Sequence, residues 1–330
     1  MHPKVSICMV TYNHQQFINQ AIDSVLMQKT NFEYELIIGE DCSTDQTRSI
    51  VQTYAAAFPE RIKLVLQEQN VGATRNFASV LDSCKGRYVA LLEGDDYWTS
   101  PDKLQKQVEY LDCHPDYAIC YHSCQVVDKM GVTKGVVLPI NMKPTSTLLD
   151  LITDDSFMAT CSVMFRSRLF NYFPDVFFVL RNVCDWPLNV LNAEHGKIGF
   201  IDAVMSNYRQ QSSDLAWSSN PLSKIMLNAI KLNEAFNEYF KFKYSKLFEA
   251  KIANYYYLMS MDYFRHGEVN SAVEAMRFSL KNRFSYLLLF RALFFDAPRC
   301  FIKGRIKYFF PSLYFKIKRI HSHRRMTKIH

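Results

Sequence analysis

Apolar and polar positions in the first hundred residues follow two alternating patterns. Val5–Val10, Tyr34–Gly39, Ile62–Gln67 and Tyr88–Leu92 are short runs dominated by apolar residues. Between them lie segments whose apolar residues recur at helical spacing, as in Gln15–Gln28, where Phe17, Ala21, Ile22, Val25 and Leu26 share one face. The same reasoning predicts helices over roughly Asp45–Phe58 and Ala73–Cys84, with a turn at Asn70-Val71-Gly72 between the third strand and the third helix. Strands buried on both faces and separated by helices build a parallel sheet wound by right-handed crossovers.

Beyond Ser100-Pro101 a helix is expected to Cys113, with Pro101 in its first turn. Ala118–Val127 alternates like a strand, Asp128-Lys129-Met130-Gly131 reads as a turn, and Thr160–Phe165 is a further strand. Cys184-Asp185-Trp186-Pro187 opens a helix that closes near His195-Gly196. After Tyr208-Arg209 the pattern becomes helical and stays so. The expected fold class is therefore α/β, with a mostly parallel, Rossmann-like central sheet flanked by helices and an all-helical C-terminal extension.

Composition adds three constraints. The chain has 330 residues, 48% of them apolar, which suits one large core plus an appendage. Its nine cysteines are scattered from Cys8 to Cys300 without paired spacing, so reduced thiols in a cytosolic setting are expected, not a disulfide framework. Cys120, His122 and Cys124 fall on one strand face by simple alternation, and no CxxC pair accompanies them to suggest zinc. Met1-His2-Pro3-Lys4 does not open like a signal peptide, and Arg291 interrupts the longest apolar run, Tyr286 to Phe295. The net charge of +7 is carried by the end of the chain, where residues 297–330 hold ten Lys or Arg and no Asp or Glu.

In open sheets of this kind ligands bind beyond the carboxyl ends of the strands. That rule selects Thr11-Tyr12-Asn13, Glu40-Asp41-Cys42-Ser43 and Glu93-Gly94-Asp95-Asp96. Carboxylates crowded at the exit of a buried strand repel one another unless a cation sits between them. Their hard oxygens suit Mg²⁺ or Mn²⁺, with substrate phosphates filling the remaining positions. Taken alone, the acidic run reads equally as a solvated turn.

Five motifs in order resolve that ambiguity. They are Val5-Ser6-Ile7 through Thr11-Tyr12-Asn13, Glu40 to Asp45, Asn70-Val71-Gly72 with Arg75-Asn76, Glu93 to Asp96, and Asp185-Trp186-Pro187-Leu188. Together they resemble the family 2 glycosyltransferases of the GT-A fold over roughly residues 4–217. The resemblance implies a catalytic domain at 1–217, and the helical pattern and charge beyond it give a helical region with a basic, aromatic tail at 218–330. It assigns Tyr12 to stacking on a nucleotide base and Asp41 to accepting from a ring N–H, chemistry that suits a flat aromatic and an acceptor-only carboxylate. Thr11, Asn13, Arg75, Glu93 and Asp95 complete the expected nucleotide-sugar set, Arg75 facing the diphosphate or pairing with an acidic neighbour. Asp95 and Asp96 match the metal-binding segment for Mg²⁺ or Mn²⁺. Gln211 stands where the family often carries a histidine, so a glutamine carbonyl or a water would complete the shell.

Asp185 matches the family's general base. With Pro187 at the first helical position, Trp186 would be the helix cap and Asp185 would lie one residue outside it. The implied activity is inverting transfer of a sugar from a nucleoside-diphosphate sugar, a UDP-sugar first, to a hydroxyl of a glycan or lipid-linked acceptor in surface polysaccharide synthesis. The alternative is a nucleotide-sugar-binding or assembly subunit that has lost activity, for which Gln211 is the main support.

Tyr255–Arg265 and Val269–Leu280, joined at His266-Gly267-Glu268, resemble one tetratricopeptide-type helix pair, which cannot bury its own face and is expected to dock on the catalytic domain. The basic, aromatic end suits an anionic membrane surface, placing the protein in the cytoplasm or on the cytoplasmic face of the inner membrane. No motif supports nucleic acid as its partner.

Overall fold

The computed structural model describes residues 3–140, 142–154, 157–170, 172–210 and 222–282. They divide between two compact units, Met1–Ser213 and Asp214–His330. The first is built on a ten-stranded mixed sheet. Four strands, β1 (Val5–Thr11), β2 (Tyr34–Glu40), β3 (Ile62–Leu66) and β4 (Tyr88–Glu93), are mutually parallel in the order β3-β2-β1-β4. Every residue of β1 and β2 is buried, which accounts for their unbroken apolar character. The crossovers are α1 (Ile18–Leu26), α2 (Thr47–Ala57) and α3 (Ala73–Ser83).

Past β4 the sheet becomes mixed. The short β5 (Tyr97–Trp98) leads into α4 (Lys103–Cys113) and β6 (Tyr117–Val127), followed by the exposed hairpin strand β7 (Thr133–Leu138), β8 (Thr145–Ser146) and α5 (Leu148–Thr153). The strand expected over Thr160–Phe165 is a 3₁₀ turn at Thr160–Ser162 followed by β9 (Met164–Arg166). The Ser162 hydroxyl and amide both bond back to the Ala159 carbonyl, a local turn that apolar composition cannot reveal. After α6 (Asp185–Ala193) comes β10 (Lys197–Arg209), which lies parallel to β6 and was not expected. Register shifts between Ile201 and Val204 and between Val204 and Ser206 break its period-two pattern, hiding the strand from sequence.

In the second unit α7 (Leu222–Tyr239), α8 (Ser245–His266) and α9 (Val269–Asn282) pack on one another. Ile230 of α7 meets Ile252, Tyr255 and Met259 of α8 and Ala275 of α9 in one apolar cluster. Gly267, at φ +81°, closes α8 in the left-handed conformation. The Ser279 hydroxyl bonds the Ala253 carbonyl at 2.7 Å, tying α9 to α8. No described helix is long and apolar enough to cross a membrane. Gln211 and the basic tail lie outside the described residues.

Candidate active site

Strand register brings the polar loops to one sheet edge. Thr11 pairs with Glu40 across β1 and β2, and Val10 pairs with Glu93 across β1 and β4. Beyond those ends the Asp41 amide donates to the Thr11 carbonyl at 3.1 Å, and the Gly94 amide to the Val10 carbonyl at 2.9 Å. The β1 exit therefore lies between the Asp41 loop and the acidic run.

The side chains of the first two loops are largely spent on one another. Asn13 takes a left-handed backbone at φ 56° and its Oδ1 accepts from the Thr44 amide at 2.9 Å, while its own amide donates to Ser43 Oγ. Thr11 Oγ1 is buried 3.2 Å from His14 Nδ1. A Cβ on Gly94 would sit 2.6 Å from that hydroxyl oxygen and 2.9 Å from His14 Nδ1, so the acidic run needs glycine at its second position. Tyr12 is half-buried.

Asp41, 2% exposed, accepts from the Val71 amide at 2.8 Å and the Gly72 amide at 3.0 Å. Burial moves its pKa upward, opposed by those two amides and by the nearby Arg181 charge. Gly72 has φ +91°, and a Cβ there would meet Arg181 Cγ at 2.4 Å. Arg181 Nη2 donates to the Asn70 carbonyl and side-chain oxygen at 2.8 and 2.6 Å. The cation near Asp41 is thus Arg181, which sequence reasoning missed. Arg75, expected toward the diphosphate, is exposed on α3 with its guanidinium 5.7 Å from the Phe178 ring.

The third loop and α6 are electrostatically joined. Burial, then the charges of Asp95 and Asp185, push Glu93 up to about 8. Asp185 is itself raised, chiefly by burial, against the stabilising amides of Trp186 and its own backbone. The helix register differs from the expected one: Cys184 is the N-cap, Asp185 is the first helical residue and Pro187 the third. Proline is tolerated there because the first four helical amides have no intrahelical acceptor. Trp186 is unsuited to capping because its indole offers only an N–H donor, which goes to the Leu151 carbonyl at 3.0 Å. At the helix start the Asp185 carboxylate gains from the helix dipole.

Asp96, expected beside Asp95 on a cation, is 1% exposed. Its Oδ1 accepts from the Arg209 amide at 2.7 Å, and its Oδ2 is buried without a hydrogen-bond partner. Burial, then the neighbouring Cys161, holds its pKa well up. Tyr208, missed by sequence reasoning, is also raised by burial and by the charges of Glu93, Asp96 and Asp95.

Among the described residues no three His, Cys, Asp or Glu side chains form a protein-only metal cage. Mg²⁺ and Mn²⁺ do not require one, since one or two carboxylates plus phosphates and water satisfy them. Partly accessible Glu93 and Asp95 carry the hard oxygen donors that fit such an ion, and the charges of Asp95 and Asp185 both act on Glu93. Buried Asp96 suits it less.

The sequence model described as glycosyl transferase family 2 matches residues 6–172. An uncharacterized protein of Mycobacterium tuberculosis is 36% identical over 217 residues, 65% of this chain and 61% of the relative. The match thus spans less than two thirds of that relative's length. A putative teichuronic acid biosynthesis glycosyltransferase of Bacillus subtilis is 43% identical over 109 residues, covering 33% of this chain and 42% of the relative. Among solved structures, residues 1–349 of Staphylococcus aureus TarS, in complex with UDP-GlcNAc, superpose with a TM-score of 0.61 at 18% identity. That superposition covers 97% of this chain and 92% of the other. At such identity the likeness establishes a shared fold.

Proposed function

The chain belongs to glycosyl transferase family 2, and from that premise we propose that it is a metal-dependent, inverting glycosyltransferase of surface polysaccharide synthesis. The observation that carries the reading is that Glu93, at the β4 exit, lies under the charges of both its neighbour Asp95 and the helix-start Asp185. The donor is a nucleoside-diphosphate sugar, UDP-linked first. Tyr12 stacks on the base and Asp41 accepts from it through the lone pairs left by the Val71 and Gly72 amides. Asp95, with Glu93 beside it, would hold Mg²⁺ or Mn²⁺, which offsets charge on the leaving diphosphate when bound.

Asp185 takes the proton of an acceptor hydroxyl as that oxygen bonds to the anomeric carbon. The bond from that carbon to the diphosphate breaks in the same displacement, inverting its configuration. Burial raises the basicity of Asp185, which favours the transfer. The acceptor is a glycan or lipid-linked glycan, and the basic tail brings the enzyme to the cytoplasmic membrane surface. The Bacillus relative named for teichuronic acid synthesis and the UDP-GlcNAc held by TarS support this reading by analogy. The test is Asp185→Asn assayed against a panel of nucleotide-sugars and acceptors. Transfer should disappear while donor binding persists; undiminished transfer would exclude Asp185 as the base.

A further inference from the structure

Arg209 is 4% exposed, so the five N–H donors of its guanidinium must find acceptors inside the protein. Nε donates to the Asp95 carbonyl at 2.8 Å. Nη1 donates to the carbonyls of Asp128 and Lys129 at 3.2 and 2.8 Å, and Nη2 to Gln20 Oε1 at 2.8 Å. The guanidinium carbon lies 4.6 Å from the Phe17 ring centroid and 5.3 Å from that of Tyr97. The Arg209 amide, meanwhile, holds Asp96 Oδ1. One residue thereby joins the acidic run, the β6–β7 turn, β5 and the N-terminal part of α1.

We infer that Arg209 is a positioning residue that fixes the main chain of the acidic run, and thereby the Asp95 carboxylate, for a metal–nucleotide complex. The planar, five-donor group satisfies acceptors in three directions at once. A lysine ammonium is a compact point charge and cannot span them. Loss of the fork loosens the carbonyl of Asp95 relative to β1 and α1, which frame the nucleoside side of the site. Supporting groups of this kind typically alter metal affinity by about 10- to 100-fold when removed.

This inference rests on the transferase reading, so the test separates the two. Binding of UDP is titrated calorimetrically at increasing Mn²⁺ with the full chain, Arg209→Lys and Gln20→Ala, each checked for a cooperative melt. Arg209→Lys should raise the Mn²⁺ concentration for half-maximal UDP binding by about tenfold or more. Gln20→Ala, at an exposed helix position outside the core, should shift it the same way by about threefold. A purely structural role would lower the melting temperature and leave the Mn²⁺ midpoint in place. Wild-type midpoints in both folded variants overturn the inference alone. If Arg209→Lys does not fold, a wild-type midpoint in Gln20→Ala overturns it. Absence of Mn²⁺-dependent UDP binding in the parent chain overturns the reading of the site and this inference with it.

Discussion

The exits of β2 and β4 both carry acidic residues, but the protein treats them in opposite ways. At the β2 exit each carboxylate has been given donors. Glu40 takes the Ser43 amide and Arg48, Asp41 takes two turn amides, and Asp45 takes the amides of Gln15 and Thr47. At the β4 exit the charges of Asp95 and Asp185 both act on Glu93, whose pKa rises to about 8. Crowding of like charge, more than the number of carboxylates, distinguishes these two strand ends.

The largest expected effect comes from removing the base. Asp185→Asn should reduce transfer by about 10²- to 10⁴-fold in a coupled assay for released nucleotide, with donor affinity changed little. In the parent protein the acid limb of the rate profile should lie above the ordinary carboxylate range, because activity requires ionised Asp185 and burial raises its pKa.

Opposite signs in stability would sharpen the comparison further. Asp41→Asn removes an acceptor from two turn amides and should cost about 1–3 kcal/mol in denaturant unfolding. Glu93→Gln should do the reverse above neutral pH. Glu93 has a folded pKa raised from 4.5 to about 8, so its proton-linked stability is fully present below pH 4.5 and is lost as pH rises through about 8. The melting temperature of the metal-free parent should therefore decline across that window, and Glu93→Gln should flatten the decline. An unchanged slope would break the contrast between the two exits.

Much of this was legible in the sequence because β1, β2 and β4 are buried along nearly their whole length and so announce themselves by composition. β10 did not, since its bulges shift which residues face the core. The order of strand-end motifs located the acidic run and Asp185. It did not separate Asp95 from Asp96, because the inward turn of Asp96 depends on the Arg209 amide in a strand far along the chain. Arg209 itself was noted only as a neighbour of Tyr208. Its partners are chiefly main-chain carbonyls, which any residue provides, so no residue-type pattern marks them. Arg75 and Arg181 illustrate the same limit: both are arginines near the Asn70–Gly72 turn, and only tertiary packing places Arg181 near Asp41.

The most direct test of the central claim is calorimetric binding of UDP and UDP-sugars with Mn²⁺ or with EDTA, comparing the parent chain with Asp95→Asn. The expected result is binding that requires the metal in the parent and is weakened at least about tenfold by the substitution. Binding that ignores both EDTA and Asp95→Asn would contradict a metal site at the β4 exit.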